Sequence, residues 1–234
     1  IVDGNGGVIH VCPGDDVVRE YRSQMRRQQR HRRDLDSKRA LPAETLDGLS
    51  ITLLANIDLP KEVELAVDNG ARGVGMYRTE FLYLNYRLPS EKEQFQAYAK
   101  IVEAMAPAPV TIRTIDLGGD KLSHVLDVKT EDNPFLGWRG LRICLDEHDL
   151  FKTQIRALLR ASSLGKLRIL LPMISGTQEL VRARALVDEV RVELRESGQA
   201  FGEDAELGVM VEVPSVALMV DRFAPNCDFL SLGT

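Results

Sequence analysis

From Ile51 onward, six short runs that are apolar almost residue by residue, 51–57, 73–78, 110–115, 167–172, 207–212 and 228–232, alternate with longer stretches whose apolar residues recur at helical spacing. A run apolar on both faces suits a strand of a parallel sheet covered by helices, and regular alternation of such strands with helices is the signature of an α/β fold. Several of the intervening stretches mark their own starts. Pro60 stands in a first turn, and Ser90 with Glu93 and Ser175 with Gln178 have the spacing of capping boxes. Gly70, Gly165 and Gly198 stand where those helices should stop. The longest interval, 116–166, holds a polar loop rich in Gly, Asp and Asn and then two helical stretches, the second from Leu150 to Ala161. No Gly-x-Gly-x-x-Gly follows the first run, so a doubly wound sheet would lack its dinucleotide fingerprint; a (β/α)8 barrel short of two units is the other architecture that such a series allows.

The first fifty or so residues follow a different pattern. The turn residues Asp3-Gly4-Asn5-Gly6-Gly7, with Val8 and Val11, suggest a hairpin, and Pro13-Gly14-Asp15-Asp16 offers a helix start. The helix, running to about Arg39, has a thin apolar stripe of Val17, Val18, Tyr21, Met25 and Leu35, too narrow to bury much, so it reads as a connector. Leu41-Pro42-Ala43 ends it, and Asp47-Gly48 marks the turn into the main domain. With Ile1 in first place and the apolar run Phe229 to Leu232 close to Thr234, both ends read as cut from something larger.

Charge is unevenly spread. The formal net charge is −5, yet Arg19 to Arg39 carries nine Lys or Arg against three Asp or Glu, a local +6 that leaves −11 for the rest. A basic stripe raises the alternative of a nucleic-acid-binding helix on a barrel scaffold. The plainer reading is a solvated helix built from a good helix former, and no aromatic interleaving, glycine-rich RNA motif or zinc pattern favours the other. A hydrophobic content of 44% is enough for a sizeable core. No run approaches the length of a membrane span and no signal-like segment is present, so a cytoplasmic protein without membrane insertion is expected. Cys12, Cys144 and Cys227 are odd in number and widely spaced, which suggests neither a disulfide framework nor a zinc site.

The candidate chemistry sits at strand ends. Arg78 and Arg113 each close an apolar run, and each is followed by Thr and then, directly or one residue later, by an acid, Glu80 or Asp116. A third run closes on a carboxylate, Glu212, before Pro214. Carboxyl ends of parallel strands converge on one rim of a barrel or one crevice of an open sheet, so two guanidinium groups and one acid should meet there and suit a bound anion. Glu80 offers itself as a partner for Arg78. Asp116, Asp120 and Lys121 lie on a Gly-Gly loop, and Arg139 and Arg142 have the i, i+3 spacing of a helix face.

Taken together, Tyr77-Arg78-Thr79-Glu80-Phe81-Leu82, the run from Arg113 to Lys121, Asn133-Pro134-Phe135-Leu136-Gly137-Trp138-Arg139, Leu171-Pro172-Met173-Ile174 and Met210-Val211-Glu212-Val213-Pro214 resemble the phosphoenolpyruvate-protein phosphotransferases, enzyme I of the bacterial sugar phosphotransferase system. The match covers nearly the whole chain, in order. It implies an incomplete (β/α)8 barrel, about six of eight units, preceded by a helical linker. Residues 1–14 would be the tail of a phosphohistidine domain, 15–46 the linker and 47–234 the phosphoenolpyruvate-binding barrel. The resemblance further implies that Arg78 and Arg113 bind phosphoenolpyruvate, that Glu212 is one of two Mg²⁺ ligands, and that Asp116, Lys121 and Arg139 are secondary site residues. It implies transfer of the phosphoryl group to a histidine on a mobile domain and then to the carrier HPr, by a cytoplasmic homodimer that has no nucleic acid as partner. Within the same barrel group the alternative is a pyruvate phosphate dikinase or phosphoenolpyruvate synthase.

The departures carry expectations too. In the family a second Mg²⁺ ligand and a substrate contact follow Gly-Thr, and a further substrate arginine and a proton-donating cysteine come later. The phosphoacceptor histidine comes earlier, in a setting that His10, His31, His124 and His148 do not share, and none of the three cysteines matches the donor. The chain by itself is therefore expected to hold the first part of a substrate site and to be catalytically silent.

Overall fold

A computed structural model describes residues 1–83, 87–118, 122 and 137–233. The chain forms two compact units, Ile1–Ile51 and Thr52–Thr234.

In the first unit, β1 (Val2–Asp3) and β2 (Val8–Ile9) make the expected antiparallel hairpin, with Val2 opposite Ile9. Asp3 holds its turn: Oδ1 accepts the N–H groups of Asn5 at 3.0 Å and Gly6 at 2.8 Å, and Oδ2 accepts the Tyr21 hydroxyl at 2.8 Å. The Gly6 amide first, and the Tyr21 hydroxyl next, keep the Asp3 carboxyl below the usual carboxylate range. Helix α1 (Asp15–Lys38) buries none of its residues, as its thin apolar stripe suggests.

In the second unit, six strands lie side by side in chain order, each parallel to the next: β3 (Ala55–Ile57), β4 (Val74–Arg78), β5 (Val110–Arg113), β6 (Leu167–Leu171), β7 (Glu206–Val211) and β8 (Phe229–Leu232). A doubly wound sheet needs a point where strand order reverses, and none occurs among these strands. The sheet curls into a half-barrel, the incomplete α/β barrel that the alternation and the resemblance implied. The connecting helices are α2 (Val63–Asp68), α3 (Glu91–Met105), α4 (Leu141–Asp146), α5 (His148–Ala161), α6 (Thr177–Glu196) and the short α7 (Pro214–Leu218) and α8 (Val220–Phe223).

Two apolar layers follow from the alternation of strand side chains. Val74, Tyr77, Val110, Ile112, Ile169, Leu171 and Val209 join Tyr98 and Ile101 of α3, Ile155 and Leu158 of α5, and Val187 of α6 in one continuous core. Fully burying each aliphatic side chain here contributes about 1.5–3 kcal/mol. Met76, Leu170 and Met210, with Phe229 against them, form a second cluster on the opposite face. Gly208 is required there: a Cβ at its position would stand 2.3 Å from the Phe229 ring. Helices α3, α5 and α6 are tied at their surfaces by Arg160 to Glu91, Arg156 to Glu193, and Lys152 to Glu189 at 2.5 Å and to Glu193 at 3.1 Å.

The differences from the sequence reading are local. The first strand begins at Ala55 instead of Ile51, because the Leu53 carbonyl accepts the Arg72 N–H at 2.8 Å in a loop contact and Leu53 and Leu54 stay exposed. Strand β5 stops at Arg113, since the Ile115 N–H turns to a side chain, Gln154 Oε1, at 3.0 Å. Helix α6 starts one residue later than Ser175 with Gln178 implied: Glu179, not Gln178, accepts the N–H groups of Ser175 at 2.6 Å and Gly176 at 3.1 Å. Gly70 and Gly198 end their helices with φ of +84° and +66°, whereas Gly165 is extended and ends its helix without the left-handed turn. The three cysteines are free thiols, with Cys144 buried and its thiol pushed up by that burial.

Candidate functional site

All six strands of the sheet run the same way, so the residues at their carboxyl ends share one rim. Arg78 is the last residue of β4 and Arg113 the last of β5, and the two are register partners across the pair. Glu212 directly follows β7, and Asp58 directly follows β3. Backbone pairing alone therefore brings both arginines to adjacent positions on one edge.

The two differ in environment. The Arg78 side chain is 45% exposed and reaches Asp58 Oδ1 at 3.1 Å. Arg113 is only 11% exposed and lies between two carboxylates, Glu80 Oε1 at 2.8 Å and Asp116 Oδ2 at 3.2 Å, with Met210 Sδ 3.9 Å from Nη1. Glu80 thus pairs with Arg113, not with Arg78 as their adjacency in sequence suggested. It leads a 3-10 turn, Glu80–Tyr83, that bends the chain back over the neighbouring strand.

Asp116 extends the chain of charges. Its Oδ1 accepts Arg139 Nε at 3.1 Å and Arg139 Nη2 at 3.0 Å, so one buried carboxylate links two guanidinium groups. Arg139 is not on a helix face with Arg142: it bridges Gly118 in extended form, and helix α4 begins only at Leu141. Arg142 donates to the Gly137 carbonyl at 2.7 Å. Lys121, Asp120 and the segment from Asn133 to Leu136 lie outside the described residues.

A strained turn joins this charge chain to Glu212. Met173, two residues past β6, has φ of +57°, and its N–H donates to Glu212 Oε1 at 2.7 Å. A left-handed non-glycine residue costs on the order of 1 kcal/mol or more, and the hydrogen bond to Glu212 offsets part of that. Gly140, at φ +55°, fills the gap beside it: a Cβ there would come within 3.1 Å of both Asp116 Oδ1 and the Met173 side chain. Gly140→Ala in the full-length protein is therefore expected to lower stability by about 1–3 kcal/mol, through backbone strain and overpacking, and to disturb Asp116. Thermal unfolding of the variant checks this, and an unchanged midpoint would contradict it.

Polar atoms at the rim are left without protein partners. Among the described residues, Glu80 Oε2, Arg113 Nε and Thr114 Oγ1 are buried with no hydrogen bond, and no residue donates to Glu212 Oε2. Buried polar atoms are normally paired, and a buried guanidinium N–H without an acceptor is what a missing anion would leave. Three guanidinium groups, of Arg78, Arg113 and Arg139, stand with four carboxylates, of Asp58, Glu80, Asp116 and Glu212. Among these described side chains acids outnumber bases by one, so an anion held by them alone would be helped by an accompanying cation. Among the described residues no three acidic, His or Cys side chains are grouped so as to bind a metal on their own.

Three of the residues that organise this rim were not singled out from sequence. Asp58 had the same strand-end signal as Arg78 and could have been found by it. Met173 matters through its backbone, and Gln154 is a polar residue of an amphipathic helix whose burial only the fold reveals.

A family described as PEP-utilising enzyme, PEP-binding domain, matches residues 32–234. A phosphoenolpyruvate-protein phosphotransferase of Staphylococcus carnosus is 44% identical over 235 residues, and proteins of the same name from Staphylococcus aureus and Bacillus subtilis are each 43% identical. All of this chain aligns, and it spans 41% of each relative's length. The chain therefore belongs to the family of PEP-utilising enzymes, as part of their PEP-binding domain.

Proposed function

We propose that this chain forms the substrate-binding part of a phosphoenolpyruvate-protein phosphotransferase, with Arg78 and Arg113 binding the phosphate and carboxylate of phosphoenolpyruvate. The observation that carries the proposal is Arg113: nearly buried, register-paired with Arg78, and holding an Nε–H with no acceptor among the described residues. Planar guanidinium forks match phosphate and carboxylate oxygens better than an ammonium does. Asp116 holds Arg113 and Arg139 at fixed spacing, which makes Asp116 and Arg139 secondary contributors, with Lys121 assigned to the same group on the resemblance alone.

The donor set also fits Mg²⁺ when the substrate supplies further oxygens. Glu212 offers one carboxylate oxygen with no donor among the described residues, and Mg²⁺ is commonly held by one or two carboxylates plus substrate oxygens. When bound, the ion would neutralise charge on the transferring phosphoryl group. The protein's own residues do the rest: Arg113 orients the substrate, Glu80 and Asp116 hold Arg113, and Met173 holds Glu212. With one such acid and no group of three metal-binding side chains among the described residues, this chain by itself is proposed to be inactive.

On the same reading, residues 1–14 belong to a phosphohistidine domain, 15–46 form the linker and 47–234 the barrel. The phosphoryl group would pass to a histidine on the mobile domain and then to HPr, in a cytoplasmic homodimer that serves sugar uptake or, as a paralogue, nitrogen-linked regulation. The relatives' names favour this over a dikinase or synthase. Among the described residues no helix is long and apolar enough to cross a membrane.

The test is incubation of the full-length protein with phosphoenolpyruvate labelled in its phosphate, with Mg²⁺. Label should move to the protein, and absence of transfer would reject the proposal. Neutral substitutions at Arg26, Arg27, Arg30 and Arg33 should leave transfer largely intact, because exposed charges of α1 contribute little individually. Loss of a measurable nucleic-acid affinity in those variants would instead support a binding role for the basic helix.

A further inference from the structure

We propose that Gln154 is a positioning residue that clamps the carboxyl ends of β4 and β5 together, and so sets the spacing of the two arginines; this rests on the substrate reading of Arg78 and Arg113 given above. Gln154 lies in α5 with no exposed surface. Its amide makes three hydrogen bonds. Oε1 accepts the Ile115 N–H at 3.0 Å, just beyond the end of β5. Nε2 donates to Thr79 Oγ1 at 3.3 Å, just beyond the end of β4, and to the Tyr98 hydroxyl at 3.1 Å.

The network closes on the arginine-bearing backbone. Thr79, also without exposed surface, passes its own hydroxyl proton to the Arg113 carbonyl at 3.0 Å. One side chain thus bonds the residue after Arg78 and the segment after Arg113, while the residue after Arg78 bonds Arg113 itself.

The orientation of the Gln154 amide is set at the sheet, where the Ile115 backbone N–H can only donate, so Oε1 faces it and Nε2 faces the two hydroxyls; the far end agrees with this. Gln94 Nε2 donates to the Pro89 carbonyl at 3.1 Å, which leaves Gln94 Oε1 to accept the Tyr98 hydroxyl at 3.0 Å. Burial pushes the Tyr98 hydroxyl well above the ordinary tyrosine range, so it stays a protonated donor to Gln94 and an acceptor for Gln154. Flipping the Gln154 amide would set its NH2 against the Ile115 N–H and leave two hydroxyls without a donor. The amide is locked, and a locked, fully satisfied network specifies one geometry.

Beyond the ladder, the Arg113–Glu80 ion pair at 2.8 Å also joins these strand ends, but it engages the Arg113 guanidinium itself, whereas the Gln154 network holds the backbone that carries it. The register of β4 and β5 is irregular between Val74 and Tyr77, so the ladder alone fixes their relative position less firmly than a regular pairing would. A two-point grip on substrate is sensitive to such spacing, and a misplacement of about 1 Å can cost on the order of a hundredfold in rate.

The test uses the full-length protein and the KM for phosphoenolpyruvate in phosphoryl transfer, with thermal unfolding measured alongside. Gln154→Met keeps length and volume but removes all three bonds, and should raise KM roughly tenfold. Gln94→Met is the matched control: Gln94 is equally buried and hydrogen-bonded to Tyr83, Tyr98 and Pro89, but touches neither strand end. It should lower the unfolding midpoint similarly, yet change KM less than about twofold. A KM unchanged in Gln154→Met, or raised equally by Gln94→Met, would overturn the proposal. If Gln154→Met does not fold, Thr79→Val, which removes only the hydroxyl between Gln154 and the Arg113 carbonyl, must raise KM in its place. Arg113→Ala, assayed in parallel, separates the two levels: loss of transfer there with normal KM in the Gln154 variant rejects the clamp alone, whereas normal transfer by Arg113→Ala rejects the site.

Discussion

Replacing Arg113 with alanine in the full-length protein should lower kcat/KM for phosphoenolpyruvate by on the order of thirty- to five-thousand-fold, the equivalent of about 2–5 kcal/mol for removing one partner of a desolvated, charge-assisted pair. The size of the effect follows from burial. Arg113 is 11% exposed and stands between Glu80 and Asp116, whose side chains are 15% and 7% exposed. Without the guanidinium, two nearly buried carboxylates face each other and an incoming anion meets negative charge only. Arg113→Lys should fall short of rescue, since a point charge cannot span both acids and still present a fork to substrate. Arg78→Ala should also abolish most transfer, but by the smaller factor of the two, because Arg78 is 45% exposed and has one acidic partner at 3.1 Å. Steady-state kinetics, with circular dichroism to show that the variants are folded, checks the order. Transfer by Arg113→Ala at a near-normal rate would remove Arg113 from the site.

Glu212→Gln should act on the metal and spare the fold. Glutamine keeps an oxygen for the Met173 N–H, so the left-handed turn at Met173 keeps its hydrogen bond. What it loses is the charge on the second carboxylate oxygen, a hard ligand with no other partner among the described residues. The Mg²⁺ concentration needed for half-maximal transfer should rise by at least roughly tenfold, the lower bound seen even when groups that merely support metal ligands are changed. The unfolding midpoint without Mg²⁺ should stay close to that of the parent protein. A titration giving the same Mg²⁺ requirement for both would show that Glu212 does not hold the ion.

Much of this was legible in the sequence, and particular residues show where legibility stops. The runs at 110–115 and 167–172 could be read as strands because Val110, Ile112, Ile169 and Leu170 are apolar on both faces, and all four are fully buried. Parallel strands converge at their carboxyl ends, so Arg78, Arg113 and Glu212 could be placed on one rim before any coordinates. Their partners could not. Glu80 is two residues from Arg78 but pairs with Arg113, because the turn after β4 carries it toward the next strand. The left-handed backbone of Met173 and the burial of Gln154 depend on contacts with residues 39 positions away in sequence, Glu212 and Ile115, which no local pattern encodes. The start of β3 lies four residues later and the cap of α6 one residue later than the sequence pattern implies, because the choice between neighbouring polar groups, such as Gln178 and Glu179, depends on the exact path of the turn.

The most direct test of the account is a crystal structure of the full-length protein with phosphoenolpyruvate and Mg²⁺. The account predicts the substrate at the carboxyl ends of β4, β5 and β7, its phosphate and carboxylate within hydrogen-bond distance of Arg78 and Arg113 and the metal on Glu212. Phosphoenolpyruvate bound away from this rim, with Arg113 still engaged only by Glu80 and Asp116, would contradict it.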